Sequence, residues 1–267
     1  MAVTDPFAEV SGRGVTQLRD AGIDVRADCL ADEVRELNSP YLKLMESGQP
    51  WVIAKWAMTL DGKLATHKRR SQWISNTKSR ERVHRLRGRM DAIVVGIGTV
   101  LADDPRLTAR PPGPRVAIRA VLDDRGELPL DCQLIKTVHE TPLLVFVGPS
   151  VKPDACQRWV DAGCELFQTS RTHALDEFLN ELGRRRCTNL LVEGGAGVFG
   201  HFFDHQAVDE VHVFVAPKLV GGQQAVTPIR GKGLGEMADP IELRAPQFEV
   251  VGDDNLYIHG RLEPPTQ

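Results

Sequence analysis

A chain of 267 residues with 42% hydrophobic residues has room for one large domain, or for a medium domain with an appendage. Its formal net charge of −3 gives no general attraction to nucleic acid or to an anionic membrane. No apolar run approaches the ~18–20 residues that span a bilayer. Residues 1–10 lack a basic region followed by an apolar stretch, so no secretory signal is expected. Five scattered cysteines (Cys29, Cys132, Cys156, Cys164, Cys187) contain no CxxC. They read as reduced thiols of a cytoplasmic protein, not as a disulfide or zinc framework.

In chain order, Val15–Ala21 reads as a short helix, Ile23–Arg26 as a strand and Leu30–Leu37 as a helix. This fragment is too small to bury a core of its own. Gly48-Gln49-Pro50 then punctuates the chain. Trp51–Met58 is an apolar run interrupted by Lys55, and Asp61-Gly62 is a turn signal. Ser75 or Asn76 can cap a helix running to about Met90. Strands follow at Ala92–Val95, Ala117–Leu122 and Leu143–Val147, then a helix at Pro153–Ala162 and a strand at Cys164–Phe167. A helix at Ala174–Arg186 leads to a strand at 190–192, a glycine turn and an apolar stretch that can start a helix. Val211–Ala216 is a further strand, and Ile241–Val251 with Leu256–His259 form a closing pair. Alternation of this kind predicts a sheet with helices on both faces and an antiparallel C-terminal edge.

The glycine turns carry the functional signal. In Leu190-Leu191-Val192-Glu193-Gly194-Gly195-Ala196-Gly197-Val198-Phe199-Gly200 a carboxylate ends a buried strand beside bare backbone N–H groups. Such turns bind phosphates in α/β proteins. The formal GxGxxG is not that of a Rossmann unit. It comes late in the chain, and Asp209 and Glu210 precede the next strand instead of ending it. A glycine turn that serves only tight helix–sheet packing is the plainer alternative. A second turn, Gly96-Ile97-Gly98-Thr99, also follows a buried strand, so the two can grip opposite ends of one long phosphorylated cofactor. Asp103-Asp104-Pro105-Arg106 makes a turn by itself, but acids and arginines there also suit recognition of a phosphorylated substrate.

Three side chains and one basic run stay open at this level. Arg87 borders the Val83, Leu86, Met90 stripe of a very basic helix and needs either a ligand phosphate or a structural carboxylate. Lys55 is either an edge lysine facing water or an inward ammonium that meets a ligand or an acid such as Glu193. Trp73 is either core or a stacking platform. The run His67-Lys68-Arg69-Arg70 is either solvated or binds a 2′-phosphate. His201 and His205 share a helix face, but Phe202 stands where HExxH has its glutamate and no third ligand follows, so no metal is expected.

Lys55–Met58, Thr59-Leu60-Asp61-Gly62-Lys63, Ser71-Gln72-Trp73-Ile74, Gly96–Arg110, Val192–Gly195 and Ala216-Pro217-Lys218-Leu219-Val220-Gly221-Gly222 occur in this order. Together they resemble the reductase domain of the bifunctional riboflavin-biosynthesis deaminase–reductase. Gly12–Leu37 looks like the end of that family's deaminase domain, but HxE and PCxxC are absent, so no deaminase zinc site is expected. The resemblance implies residues 1–48 as a deaminase-like tail and 49–267 as the reductase domain. It implies a three-layer α/β/α, dihydrofolate-reductase-like fold with a mostly parallel sheet. It implies NADPH as cofactor and reduction of the ribosyl group of 5-amino-6-(5-phosphoribosylamino)uracil.

Position by position, the family pattern puts NADPH against Ala57, Trp73, Thr99, Asp103, Gly195, Ala196, Gly197, Val198, Phe199, Gly200 and His201. It puts the substrate against Ser71, Arg87, Leu107, Arg110 and Glu193, with Arg87 and Arg110 on the phosphate. Lys55 and Glu193 are the expected catalytic pair: Lys55 opens or protonates the ribosylamine and Glu193 orients it. The family usually has glycine where Arg69 stands. Arginine adopts positive φ less easily, so a different loop path and a contact of Arg69 with NADPH are expected. A homodimer is expected by analogy, together with a separate deaminase partner, and neither nucleic acid nor membrane. The other readings are a related reductase of another pterin or pyrimidine, in which Arg87 and Arg110 lack a phosphate, and a non-catalytic partner domain.

Overall fold

In a computed structural model, which describes residues 2–7, 9–68, 70, 71, 73–170, 172–236 and 240–262, the chain divides into two units. The first comprises the residues up to Trp51 together with Leu179–Thr188, and the second comprises Val52–Phe178 and the chain from Asn189 onward.

The first unit holds α1 (Arg13–Asp20), α2 (Ala31–Leu37) and α3 (Ser39–Ser47). Neither α1 nor α2 buries a residue, and α3 buries Leu44. No strand forms at residues 23–26, contrary to expectation. An isolated extended segment has no ladder for its backbone groups and gains nothing from strand geometry. The helix α3 was not read from the sequence, although Pro40 in its first turn and Gly48 at its C-cap, φ 73°, are the signals that mark it.

The second unit supplies β1 (Trp51–Thr59), α4 (Thr77–Arg87), β2 (Ala92–Gly96), α5 (Ile97–Asp103), β3 (Ile118–Asp123), α6 (Gln133–Lys136) and β4 (Leu143–Val147). It continues with α7 (Pro153–Asp161), β5 (Glu165–Gln168), α8 (Ala174–Arg184), β6 (Asn189–Gly194), α9 (Ala196–Asp204), β7 (Glu210–Ala216), β8 (Leu243–Val251) and β9 (Asn255–Leu262), except that α8 from Leu179 onward, like Trp51 of β1, is counted in the first unit. The sheet order is β5-β4-β3-β2-β6-β1-β7-β9-β8. The ladders from β5 through β6, and that of β1 with β7, are parallel, while β9 runs antiparallel to both β7 and β8.

Three layers follow from strand alternation. On β1, Trp56 meets Phe199 and Phe203 of α9, with ring centroids 5.6 and 6.4 Å away. Its neighbour Ala57 packs with Val83 of α4, Phe214, Val251 and Tyr257. The helices α9 and α4 therefore cover opposite faces. Every residue of β2 and β4 is buried, as strands covered on both sides require.

The helix α4 ends at Arg87, three residues before the predicted stop. A Cβ on Gly88 would lie 2.8 Å from Gly113 Cα, so the chain leaves the helix at a close backbone crossing. At its other end Asn76 caps the helix by accepting from Ser79 N at 2.8 Å, and Asn76 Nδ2 donates to Val251 O at 2.8 Å. The closing hairpin is thereby tied to α4. Arg119 of β3 is fully buried and donates to Leu134 O and Thr137 O, each at 3.0 Å, and to Thr137 Oγ1 at 2.6 Å. This holds the short α6, which the sequence did not announce, against the sheet.

Candidate active site

Parallel strands end together, and their carboxyl ends form one wall of a cavity of about 660 Å³. Gly96–Thr99 after β2, Asp124 and Arg125 after β3, Thr169 after β5 and Gly195–Val198 after β6 all line it. This is the crevice in which open α/β sheets hold ligands. The two glycine turns share it, as expected from the sequence.

The backbone around these turns is bare. A Cβ built on Gly98 or on Gly197 meets nothing within 4 Å. Gly195 caps α9 without a side-chain hydrogen bond, so the first N–H groups of that helix face the cavity without an internal acceptor. Gly194 has φ 131°, a conformation that only glycine adopts without strain. A Cβ on Gly96 would meet Val198 Cγ2 at 2.7 Å, so enlarging Gly96 would force Val198 to shift.

Of the residues expected against the dinucleotide, Thr99, Asp103, Gly195, Ala196, Gly197, Val198 and His201 line this cavity. Phe199 and Gly200 do not. Phe199 is buried against Trp56, and a Cβ on Gly200 would fall 1.4 Å from Arg230 O. Both pack α9 against its neighbours, since only one face of a helix turns toward the cavity. Ala57 belongs to the core beside Val83. Trp73 is 65% exposed, lies under the Arg80 guanidinium at 4.6 Å from its ring centroid, and lines a second, smaller cavity. Ser71 lines both cavities and donates to Asp103 Oδ1 at 2.9 Å. Arg69 lies outside the described residues, as does Gln72.

Sequence reading missed Asp124, Arg125, Thr169 and Arg230 on the cavity wall. Asp123-Asp124-Arg125-Gly126 is a turn at a strand end and was legible as such. Asp123 is buried and accepts from Gly126 N, Glu127 N and Leu128 N at 2.8–3.0 Å, which fixes that turn.

Glu193 reaches its place through a bulge. Val94 pairs with Val192 and Val95 with Gly194, so β6 skips Glu193 in its register with β2. A bulge re-aims the extra side chain. Arg87, the last residue of α4, grips Glu193 with two parallel bonds, Nε to Oε1 at 2.6 Å and Nη2 to Oε2 at 2.7 Å. Arg87 Nη1 donates to Thr108 O at 3.2 Å. Lys55 Nζ stands 3.8 Å from Glu193 Oε2. The side chains of Lys55, Arg87 and Glu193 are 14%, 13% and 6% exposed. Both readings left open thus close on a carboxylate: Lys55 points inward, and Arg87 meets Glu193.

Burial alone would raise the Glu193 carboxyl, but the charges of Arg87 and Lys55 and the Arg87 hydrogen bonds outweigh it and hold the group at about 2. Burial lowers the Lys55 ammonium against the pull of Glu193, and the charge of Arg87 adds to the lowering. Arg110 is lowered by burial and then by the charges of Arg87 and Arg106, so these three guanidinium groups lie within electrostatic reach of one another. Arg110 Nη1 donates to Thr108 Oγ1 at 3.3 Å. Leu107 is buried, with φ 52°.

Among the described residues no three His, Cys, Asp or Glu side chains are placed to hold a metal ion, and no helix is long and apolar enough to cross a membrane. His201 and His205 lie ring to ring at 4.4 Å, and His205 Nδ1 contacts His201 O.

Residues 50–257 match the family model of the RibD C-terminal domain. The chain belongs to the RibD C-terminal domain family. The riboflavin biosynthesis protein RibD of Actinobacillus pleuropneumoniae is 35% identical over 264 residues, which cover 98% of this chain and 70% of that protein. Among solved structures, Acinetobacter baumannii RibD superposes with a TM-score of 0.82 at 28% identity, covering 98% of this chain and 72% of its own. A diaminohydroxyphosphoribosylaminopyrimidine deaminase/5-amino-6-(5-phosphoribosylamino)uracil reductase of Thermotoga maritima gives 0.79 at 30% identity, with coverages of 95% and 68%. The chain corresponds to the C-terminal portion of RibD. It is a pyrimidine reductase of riboflavin biosynthesis that works with a nicotinamide cofactor.

Proposed function

We propose that this chain uses NADPH to reduce the ribosyl group of 5-amino-6-(5-phosphoribosylamino)uracil to the ribityl product. The observation that carries this reading is the buried Lys55–Glu193–Arg87 cluster at the end of β6, one residue short of the glycine turn on the main cavity. The residues present fit a dinucleotide. Gly98 and Gly197 leave the space a side chain would fill, and the N-terminus of α9 favours a pyrophosphate. Thr99, Asp103, Gly195, Ala196, Gly197, Val198 and His201 would hold it, with Trp73 and Ala57 less directly placed. When bound, the nicotinamide supplies a hydride.

Lys55 is the proton donor in this reading. It gives its proton to the ring oxygen of the ribosylamine as the C1–O bond opens, leaving a hydroxyl on the sugar. Its lowered affinity for the proton suits the task. Glu193 stays ionised at neutral pH and is no acid; it fixes Lys55 and Arg87 and accepts hydrogen bonds from the substrate. Because Arg87 spends its fork on Glu193, Arg110, with Arg106 beside it, takes the larger share of the substrate phosphate. Ser71 and Leu107 border the substrate.

The active species is a homodimer in this reading, supported by the edge strand β8, where Phe248 and Val250 are 64% and 65% exposed. A separate deaminase would supply the substrate, and a reducing, cytoplasmic setting suits five cysteines that form no disulfide.

NADPH oxidation is to be followed with the deaminated uracil and, separately, with its undeaminated precursor. Turnover of the first supports the reading, and turnover of only the precursor reverses the order of steps. Absence of both turnover and NADPH binding would leave a non-catalytic domain.

A further inference from the structure

Arg70, of the basic run before Ser71, and Lys218, of the Ala216–Gly222 motif, have no part in the chemistry above, yet the fold brings them to one place. A cavity of about 110 Å³ lies beside the main one and shares Ala65 and Ser71 with it. Lys63, Arg70 and Lys218 line it, and among the described residues no acid does. Lys218 Nζ donates to Trp73 O at 2.7 Å and to Ile74 O at 2.9 Å, which fixes the ammonium and leaves one N–H. Thr66 Oγ1 accepts from Arg70 N at 3.3 Å and keeps its proton to donate. The side chains of Lys63 and Arg70 form no hydrogen bond or ion pair among the described residues. The neighbouring acid is Asp61. Its two oxygens are already taken by Thr59 Oγ1 at 2.6 Å, by Gly221 N at 2.6 Å and by Val220 N at 3.2 and 3.3 Å.

We infer that this small cavity is a phosphate subsite, formed by Lys63, Arg70, Lys218 and Thr66, for a phosphate monoester on a molecule that occupies the main cavity. Three cations against one saturated carboxylate leave a net positive pocket, and a dianion with three terminal acceptor oxygens suits the donors left over. Two reactants carry such a group, the dinucleotide and the pyrimidine; a pyrimidine phosphate here would replace its assignment to Arg110, and the inference rests on the proposed reaction only in naming them.

The test uses the K63M/R70M variant, with Lys218 kept because it also holds the backbone at Trp73. Inorganic phosphate is titrated calorimetrically into the wild type and the variant, without reactants. A loss of phosphate affinity of about tenfold or more supports the subsite, and equal affinity overturns it. Kinetics then assign the source. A KM rise of similar size for NADPH but not NADH identifies the dinucleotide phosphate. A rise for the phosphorylated pyrimidine but not its dephosphorylated form identifies the substrate. A rise in neither ratio means that phosphate binds as an adventitious ion only, and the subsite fails. A variant that loses phosphate binding in a protein with no reductase turnover would keep the subsite while refuting the proposed reaction.

Discussion

Replacing Glu193 with Gln tests the cluster most sharply, because it removes one charge and almost no volume. The carboxyl falls from its ordinary 4.5 to about 2 on folding, and at about 1.36 kcal/mol per pH unit this is a stabilisation of ~3 kcal/mol at neutral pH. The side chain is 6% exposed, so solvent screening removes little of it. The figure agrees with the ~3–5 kcal/mol expected when a buried ion pair loses one partner. A depressed carboxyl gives stability that is fully present above the unfolded value. That stability is lost as pH falls through the folded one. Wild-type protein should therefore lose ~3 kcal/mol between about pH 4.5 and pH 2 from this group. E193Q should start ~3 kcal/mol lower at pH 7 and lack that component of the slope. Urea unfolding at pH 7 and at steps down to pH 2 measures both. Turnover should fall as well, since Arg87 and Lys55 would be left as unbalanced buried cations. If E193Q unfolds within 1 kcal/mol of wild type with the same pH slope, the bidentate pair is not the support described above.

Lys55→Met keeps the length of the side chain and removes the proton; kcat should drop by about 10²–10⁴ with KM nearly unchanged. A kcat within threefold of wild type would dismiss Lys55 as the donor. Gly197→Ala places a methyl group in open space at a helical position, so thermal stability should hold or rise slightly while dinucleotide affinity falls. Gly200→Ala, three residues on, drives a Cβ into Arg230 O and should cost about 3 kcal/mol in unfolding measurements. Similar behaviour of these two variants would contradict the division of α9 into a ligand face and a packing face. Asn76→Ala removes the α4 cap and the bond to Val251 O, for an expected loss of ~2 kcal/mol by urea unfolding.

Local chemistry was legible wherever it acts within a few residues. Short apolar runs became the strands, and Asn76 capped its helix as read. Both glycine turns end buried strands as read; the backbone itself calls for glycine at Gly194, φ 131°, whereas Gly96 is kept small by Val198 of the other turn. The strand expected at 23–26 failed for the opposite reason: a strand is stable only with a neighbour, and none reaches that segment. Arg119 sat unnoticed inside an apolar run, since its acceptors are carbonyls of a segment whose sequence carries no sign of them. Asp124 and Arg125 were missed although their turn follows a predicted strand.

By itself, then, the sequence determined the alternation of strands and helices, the antiparallel closing pair, the two bare turns and the identity of the polar residues beside them. What it left undecided was pairing. Whether Arg87 met a phosphate or a carboxylate, and whether Lys55 faced water or the interior, depended on Glu193, which lies 106 residues from Arg87 along the chain. Only the sheet order, with β6 between β2 and β1, and the bulge that re-aims Glu193 bring those three charges together. Spacing within one helix or strand carries periodicity, and periodicity reports which face a residue is on. Contact between distant segments is set by strand register and helix packing, which emerge only when the whole sheet has assembled.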